Sequence, residues 1–221
     1  MSKFNADEYM NLIPYIGFSS REIEDVIREY KLKFYKTRNE RVEWKIKFPS
    51  FVLSFYGHIF RKNKIPTQEE FFEYYVEKNK DWFDKQDFDE SIMVGLKARL
   101  FRTYPSLMRD IHFSKYVYEK LETEAVVYNH DLDVKCGIDL LITNNGEHYG
   151  LCLYTDTEIA RSVRAKKISK SQKLQNVNYL EVPVDFSGSN SVGDFFLYGN
   201  RELDLIKTIL TNTTNAVEVE K

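Results

Sequence analysis

Asn144-Asn145-Gly146 separates two apolar runs, and it constrains the fold of this chain more than any other feature. A two-residue hairpin turn needs positive φ at both central positions, which Asn-Gly supplies at least cost, so a tight antiparallel hairpin is expected. The register then follows. Asn144 stands opposite Glu147, Ile142 opposite Tyr149, Asp139 opposite Cys152 and Gly137 opposite Tyr154. With a period of two, Asp139, Leu141, Gly150 and Cys152 share one face, while Ile138, Leu140, Ile142 and Leu151 share the other. Both faces are largely apolar, as in strands covered on two sides. Asp139 is therefore conspicuous in the first strand, expected over 134–143, because a charge in a covered strand is costly unless a metal, a partner or a proton compensates it.

Around this hairpin the pattern reads helix, strand, strand, strand, helix, strand. Pro105 suits the first turn of a helix over 105–121, whose covering stripe is Leu107, Ile111, Ser114, Tyr118 and Leu121, with Asp110 at its border. His112 falls off that stripe and reads as a surface or hydrogen-bonded histidine. Strands follow at 124–128, 134–143 and 147–154. Thr155 with Glu158 fits a capping box opening a helix to about Ser171, and Asn178–Val184 reads as a strand that Pro183 confines to an edge or terminates. A loop at 187–190 and a helix over 201–210 complete the chain.

Residues 1–104 are helical in pattern. Ser19 to Glu22 and Thr67 to Glu70 are capping signals, each followed by apolar positions at helical spacing, and a further helix is expected over 90–103. Two regions result, a helical one over 1–104 and a mixed one over 105–221, expected to pack into one body. With 43% hydrophobic and 30% charged residues, the 221-residue chain is expected to build a substantial core without disulfides. Cys136 and Cys152 both fall in expected strands, outside any zinc-type cluster, and read as packed core. The absence of a signal-peptide pattern and of a bilayer-length apolar run makes a cytoplasmic protein with no membrane association the expectation. A net charge of -2 excludes a globally basic nucleic-acid binder, so any such contact must be local. The run from Arg161 through Arg164, Lys166, Lys167 and Lys170 to Lys173 is the candidate patch.

The element order and the Gly137-Ile138-Asp139 strand resemble the restriction-endonuclease-like superfamily, the PD-(D/E)xK nucleases, over residues 105–184. The resemblance implies an α/β (α+β) fold with an αβββαβ core and a mixed sheet. In that family carboxylates on adjacent strands hold Mg²⁺, and a lysine two residues beyond the third-strand acid positions or activates water. On this chain Asp139 matches the second-strand acid, and Asp110 and Glu124 are the further metal candidates. Lys167 is the candidate for a relocated catalytic lysine, with Arg161, Arg164, Lys166 and Lys170 contacting phosphate. Cys152 and Tyr154 occupy the places where the family shows its third-strand acid and lysine. Asp156 lies four residues past Cys152, about 13 Å along the strand and too far to share a metal with Asp139.

Two functions follow from this resemblance. One is a nuclease acting on DNA by metal-assisted phosphodiester hydrolysis. The alternative keeps the fold without catalysis, as a DNA-binding or protein-interaction module, with the helical N-terminal half as the surface for a protein partner. Asp139 also has a structural explanation, as an acid satisfied by Lys135, Arg109 or a helix terminus.

Overall fold

A computed structural model describes residues 10–158, 161–162, 173–184 and 190–219 of the chain. The helical half begins with α1 (Ser20–Glu29), whose capping box forms as the sequence predicts: the Ser19 side chain accepts the Glu22 N–H, and Glu22 reaches back to Ser19. Next come α2 (Phe51–Lys62), α3 (Gln68–Lys78) and the single turn α4 (Lys80–Phe83). Thr67 and Glu70 form the second capping box, at the start of α3. Aromatic rings fill the core here. Phe55 meets Phe71 edge-on at 5.3 Å and Tyr104 at 5.9 Å, geometries that add about 0.5–1.5 kcal/mol per pair beyond burial.

The helices expected over 90–103 and 105–121 are one helix, α5 (Glu90–Lys120), with Pro105 inside it. Proline at 105 has no N–H to give the Phe101 carbonyl one turn back, and that loss normally breaks a helix. Here the buried Gln68 side chain supplies the missing donor: its Nε2 donates to Phe101 O at 3.0 Å. The same amide donates to Lys33 O at 3.0 Å, and its Oε1 accepts the Lys33 N–H at 2.8 Å. Along α5, Leu107, Ile111 and Ser114 are buried as the stripe requires, as is Leu121 just past its end, whereas Tyr118 is exposed and Val117 takes the buried position. His112 is buried and hydrogen-bonds Glu24 Oε1 through Nε2 at 3.0 Å.

After α5 the chain forms a four-stranded mixed sheet in the order β1 (Ala125–Val127), β2 (Leu140–Asn144), β3 (Glu147–Thr155), β4 (Val177–Val184). β1–β2 and β2–β3 are antiparallel, and β3–β4 is parallel. The hairpin has the predicted register: Asn144 opposite Glu147 and Ile142 opposite Tyr149, with Asn145 (φ 52) and Gly146 (φ 74) in the turn. β4 is an edge strand, as Pro183 demands. The outer edge of β1 is covered, because Asn11 donates to Val126 O at 2.8 Å and Leu12 N–H to Tyr128 O at 2.9 Å. A helix begins at Glu158 after β3, but the expected Thr155 capping box is not its start: Thr155 is the last residue of β3, and Arg161 N–H donates to Thr157 O at 2.9 Å, so Thr157 stands at the cap.

No hairpin is expected from the sequence between β4 and the last helix, yet β5 (Asn190–Val192) and β6 (Phe195–Leu197) form one. Gly193 turns it at φ 57, and a Cβ there would stand 2.8 Å from the carbonyl oxygens of Ile27 and Arg28, so only glycine fits. The last helix, α6, spans Asn200–Val219. Among the described residues no helix is long and apolar enough to cross a membrane.

By contacts the chain divides into two compact units, one comprising Met1–Tyr15, Phe113–Asn190 and Phe196–Lys221, the other Ile16–His112 and Ser191–Phe195. The division at residue 112 falls inside α5.

Replacing Gln68 with Leu should cost about 2–5 kcal/mol, since it strands the Phe101 carbonyl and both Lys33 backbone groups, each unmade bond costing about 1–3 kcal/mol. Urea unfolding of Gln68→Leu measures this, and a loss under 1 kcal/mol (roughly one hydrogen bond) contradicts it. His58 generates a second prediction. Burial against Tyr74, ring centroids 5.2 Å apart, pulls its pKa below the ordinary histidine value. The unfolded chain therefore binds this proton more readily, so the contribution is intact above the unfolded pKa of about 6.5 and is lost as pH falls below it. Melting temperature between pH 7.5 and 5.5 should fall less in His58→Phe than in the parent; parallel curves contradict the assignment.

Candidate functional site

The site is built at the entry to β2. Leu132–Cys136 forms one π-helical turn, closed by Gly137 N–H donating to Asp133 O at 3.0 Å and Ile138 N–H to Leu132 O at 3.0 Å. Asp131 and Lys135 pair across this turn at 2.9 Å. Gly137 then adopts φ 70, a left-handed conformation that costs glycine little, and releases the chain toward the sheet. The strand expected over 134–143 is thus a turn followed by a strand from Leu140, because local hydrogen bonds take up the backbone groups of 132–138.

Asp139 sits one residue before β2, half-buried rather than in a strand centre. Its N–H donates to Leu151 O at 2.8 Å, although Leu151 already stands opposite Leu140. Two consecutive residues addressing one partner is the arrangement of a β-bulge, which re-aims a side chain. The Asp139 carboxylate turns along β3 and its Oδ2 accepts the Leu153 N–H at 2.7 Å. Strict alternation fails here as a result. Ile138 packs with Leu141, Leu132 and Cys136 in one buried cluster, and a Cβ on Gly150 would lie 2.9 Å from Ile138 Cδ1. Ile138 therefore belongs to the Leu141 and Gly150 face, opposite to the predicted one.

Cys152 is wholly buried, and its thiol donates to Gly137 O at 3.1 Å, so it is core, as its sequence setting suggests. Asp156 lies just past β3 and accepts from Arg161 Nε at 2.7 Å and Nη2 at 2.6 Å. This exposed ion pair is worth about 0–1 kcal/mol, so a phosphate could displace the carboxylate from Arg161 at small cost. Arg164, Lys166, Lys167 and Lys170 lie outside the described residues.

Glu124 does not join Asp139. It precedes β1 and receives the Gly146 N–H on its two oxygens at 3.0 and 3.3 Å, which places it at the hairpin tip. Asp139 lies at the other end of β2, five residues away, or roughly 16 Å at strand rise, so the two carboxylates cannot share one ion. An open cavity of about 250 Å³ lies at that tip, lined by Thr123, Asn144, Asn145, Lys207 and Leu210. Asp110 is exposed on α5 and falls in the other compact unit from Asp139. Among the described residues no three His, Cys, Asp or Glu side chains are grouped to hold a metal ion.

Comparison with family models, curated proteins and solved structures finds no match to this chain.

The bulge makes the two roles of Asp139 separable. Asp139→Asn keeps an oxygen for the Leu153 N–H, whereas Asp139→Ala leaves that amide without it and should destabilise the protein by about 1–3 kcal/mol more than the Asn variant. Denaturant titration of both variants, with amide exchange at Leu153, reads the difference. Equal stability of the two would contradict the assigned bond.

Proposed function

We propose that this chain is a nuclease-like protein acting on DNA through a restriction-endonuclease-like core spanning residues 105–221. One observation carries the reading. The elements follow the order helix, strand, strand, strand, helix start, strand in a mixed sheet, and the carboxylate of Asp139 is held at the junction of the two strands from which such enzymes present their acids. In this reading Asp139 is the carboxylate that meets Mg²⁺. This is compatible with the ion's habit of taking one or two carboxylates and completing its shell with water and phosphate oxygens. When bound, the ion would supply charge stabilisation at the phosphate and the leaving oxygen. Arg161, released from Asp156, binds a backbone phosphate, and Lys167 serves as the basic group that orients water.

The second reading, a DNA-binding or protein-interaction module without catalysis, has its own supporting observations. Oδ2 of Asp139 is engaged by the Leu153 amide, and the buried Cys152 thiol stands where the family carries its second acid.

Plasmid DNA incubated with Mg²⁺ or Mn²⁺ distinguishes the two. Under the nuclease reading the parent protein nicks the plasmid, and Asp139→Asn, which keeps the Leu153 acceptor, loses at least about 100-fold in rate as expected for removal of a metal ligand's charge. Failure to nick, with salt-sensitive DNA retention that disappears in Arg161→Ala with Arg164→Ala, supports the module instead.

A further inference from the structure

Residues 31–47 hold seven Lys or Arg against two Glu, a net of +5 in a chain whose overall charge is -2. Rings alternate with these cations: Phe34 is 68% exposed, Tyr35 39% and Trp44 84%. A lone exposed aromatic needs no explanation, but three of them among that many cations do. The segment is also built rather than loose. Arg102 of α5 donates to Thr37 O at 2.8 Å and to Tyr35 O at 3.3 Å, and the same guanidinium pairs with Glu43. One side chain therefore ties the backbone at Tyr35 and Thr37 to Glu43, the residue before Trp44, while the half-exposed Tyr35 ring rests edge-on against Phe101 at 5.1 Å. Arg99 holds Val42 O, Gln68 holds both backbone groups of Lys33, and Asn39 and Val42 pack on Gly95, where a Cβ would approach Asn39 Cβ to 2.7 Å.

Of the seven cations, Lys31 pairs with Asp194 at 3.6 Å and Lys33 with Glu69, so part of the segment's charge is met by acids outside it. Glu43 is compensated from within by Arg99 and Arg102, and Glu40 pairs with Lys45 at 2.9 Å. Lys36, Arg38 and Lys47 are exposed and pair with no carboxylate among the described residues.

We propose that residues 33–47 form a binding surface for single-stranded nucleic acid, with bases stacking on Trp44 and Phe34 and phosphates meeting Lys36, Arg38 and Lys47. Exposed rings among cations, on a backbone pinned by hydrogen bonds, are what a sequence-tolerant single-strand site requires, because every base has a π-face and every nucleotide a phosphate. A duplex keeps its bases stacked on each other and offers the rings nothing. A membrane surface calls for cations on one side and rings on the other. Here the two kinds interleave at one- and two-residue spacing along a largely non-helical segment, with Thr37 and Asn39 between them. This surface stands on its own residues and does not depend on Asp139.

The test is fluorescence anisotropy of a labelled 20-nucleotide oligo(dT), in EDTA at low salt, with oligo(U), a duplex of equal length and anionic phospholipid vesicles as competitors. Single strands of either sugar should bind and compete, and duplex and vesicles should compete poorly. Trp44→Ala with Phe34→Ala should weaken binding by about ten-fold or more, given the usual worth of a base–ring stack. Lys36→Gln with Arg38→Gln and Lys47→Gln should lower the salt dependence of log K by about 0.7 per lost phosphate contact. In Trp82→Phe, which leaves Trp44 as the sole tryptophan, oligo(dT) should quench the indole emission. All of these side chains except Trp82 are exposed, and the anisotropy assay does not need that variant. The proposal is overturned if oligo(dT) does not bind, if duplex or vesicles compete as well as single strands, or if the Trp44 and Phe34 variant binds unchanged. Because EDTA excludes divalent ions, a protein that nicks nothing can pass this test and one that nicks can fail it.

Discussion

The amide of Gln68 is the interaction on which the helical unit depends. It supplies the Phe101 carbonyl with the donor that Pro105 lacks, so a 31-residue helix survives an interior proline. It also clamps Lys33 by both backbone groups, and its own backbone N–H donates to the Tyr30 hydroxyl at 2.9 Å. A fully buried polar side chain is tolerable only when its groups are paired, and here every pairing joins different parts of the unit. From the first half of α5, Arg99 and Arg102 hold residues 35–43. The basic aromatic segment is thus held at Lys33 by Gln68 and further along by the two arginines.

In the sheet the comparable constraint is the bulge at Asp139. The acid accepts a β3 amide where the β2–β3 ladder loses its regular pairing, which explains why a carboxylate can stand next to strands as apolar as these. Stability and chemistry then compete for the same oxygens. The same residue is therefore read both as a fold element and as a ligand.

Much of this architecture was legible in the residues, for definite reasons. Asn-Gly turn chemistry specified the hairpin, and the register of β2 and β3 from Leu140 onward followed from it; Ser19 and Thr67 with their partner glutamates marked two helix starts; Pro183 marked an edge. What was missed involves partners distant in sequence or special φ. Nothing near Pro105 announces Gln68, thirty-seven positions earlier, so the helix was expected to restart there. The apolar run 136–142 resembles a strand throughout, and the turn that consumes its first residues depends on Gly137 at positive φ. The β5–β6 hairpin carried a readable signal, Gly193-Asp194 between Val192 and Phe195, a turn pair of the kind that Asn145-Gly146 exemplifies. The alternating rings and cations of 31–47 were equally visible. For the site, residue types indicated Asp139, but only coordinates separate Glu124 from it, since one strand's length lies between them.

The hairpin turn that carries Ser191–Phe195 has a consequence for inheritance. The polypeptide passes between the two units after Tyr15, His112, Asn190 and Phe195, so each unit is assembled from separated stretches of one thread. No single break in the coding sequence yields both units whole. A gene fragment encoding one of them would lack part of its own core, Phe195 with its contact to Tyr104 for the helical unit or the strip along β1 for the other. The pair is therefore expected to be gained, lost and exchanged only together, unlike modules strung end to end.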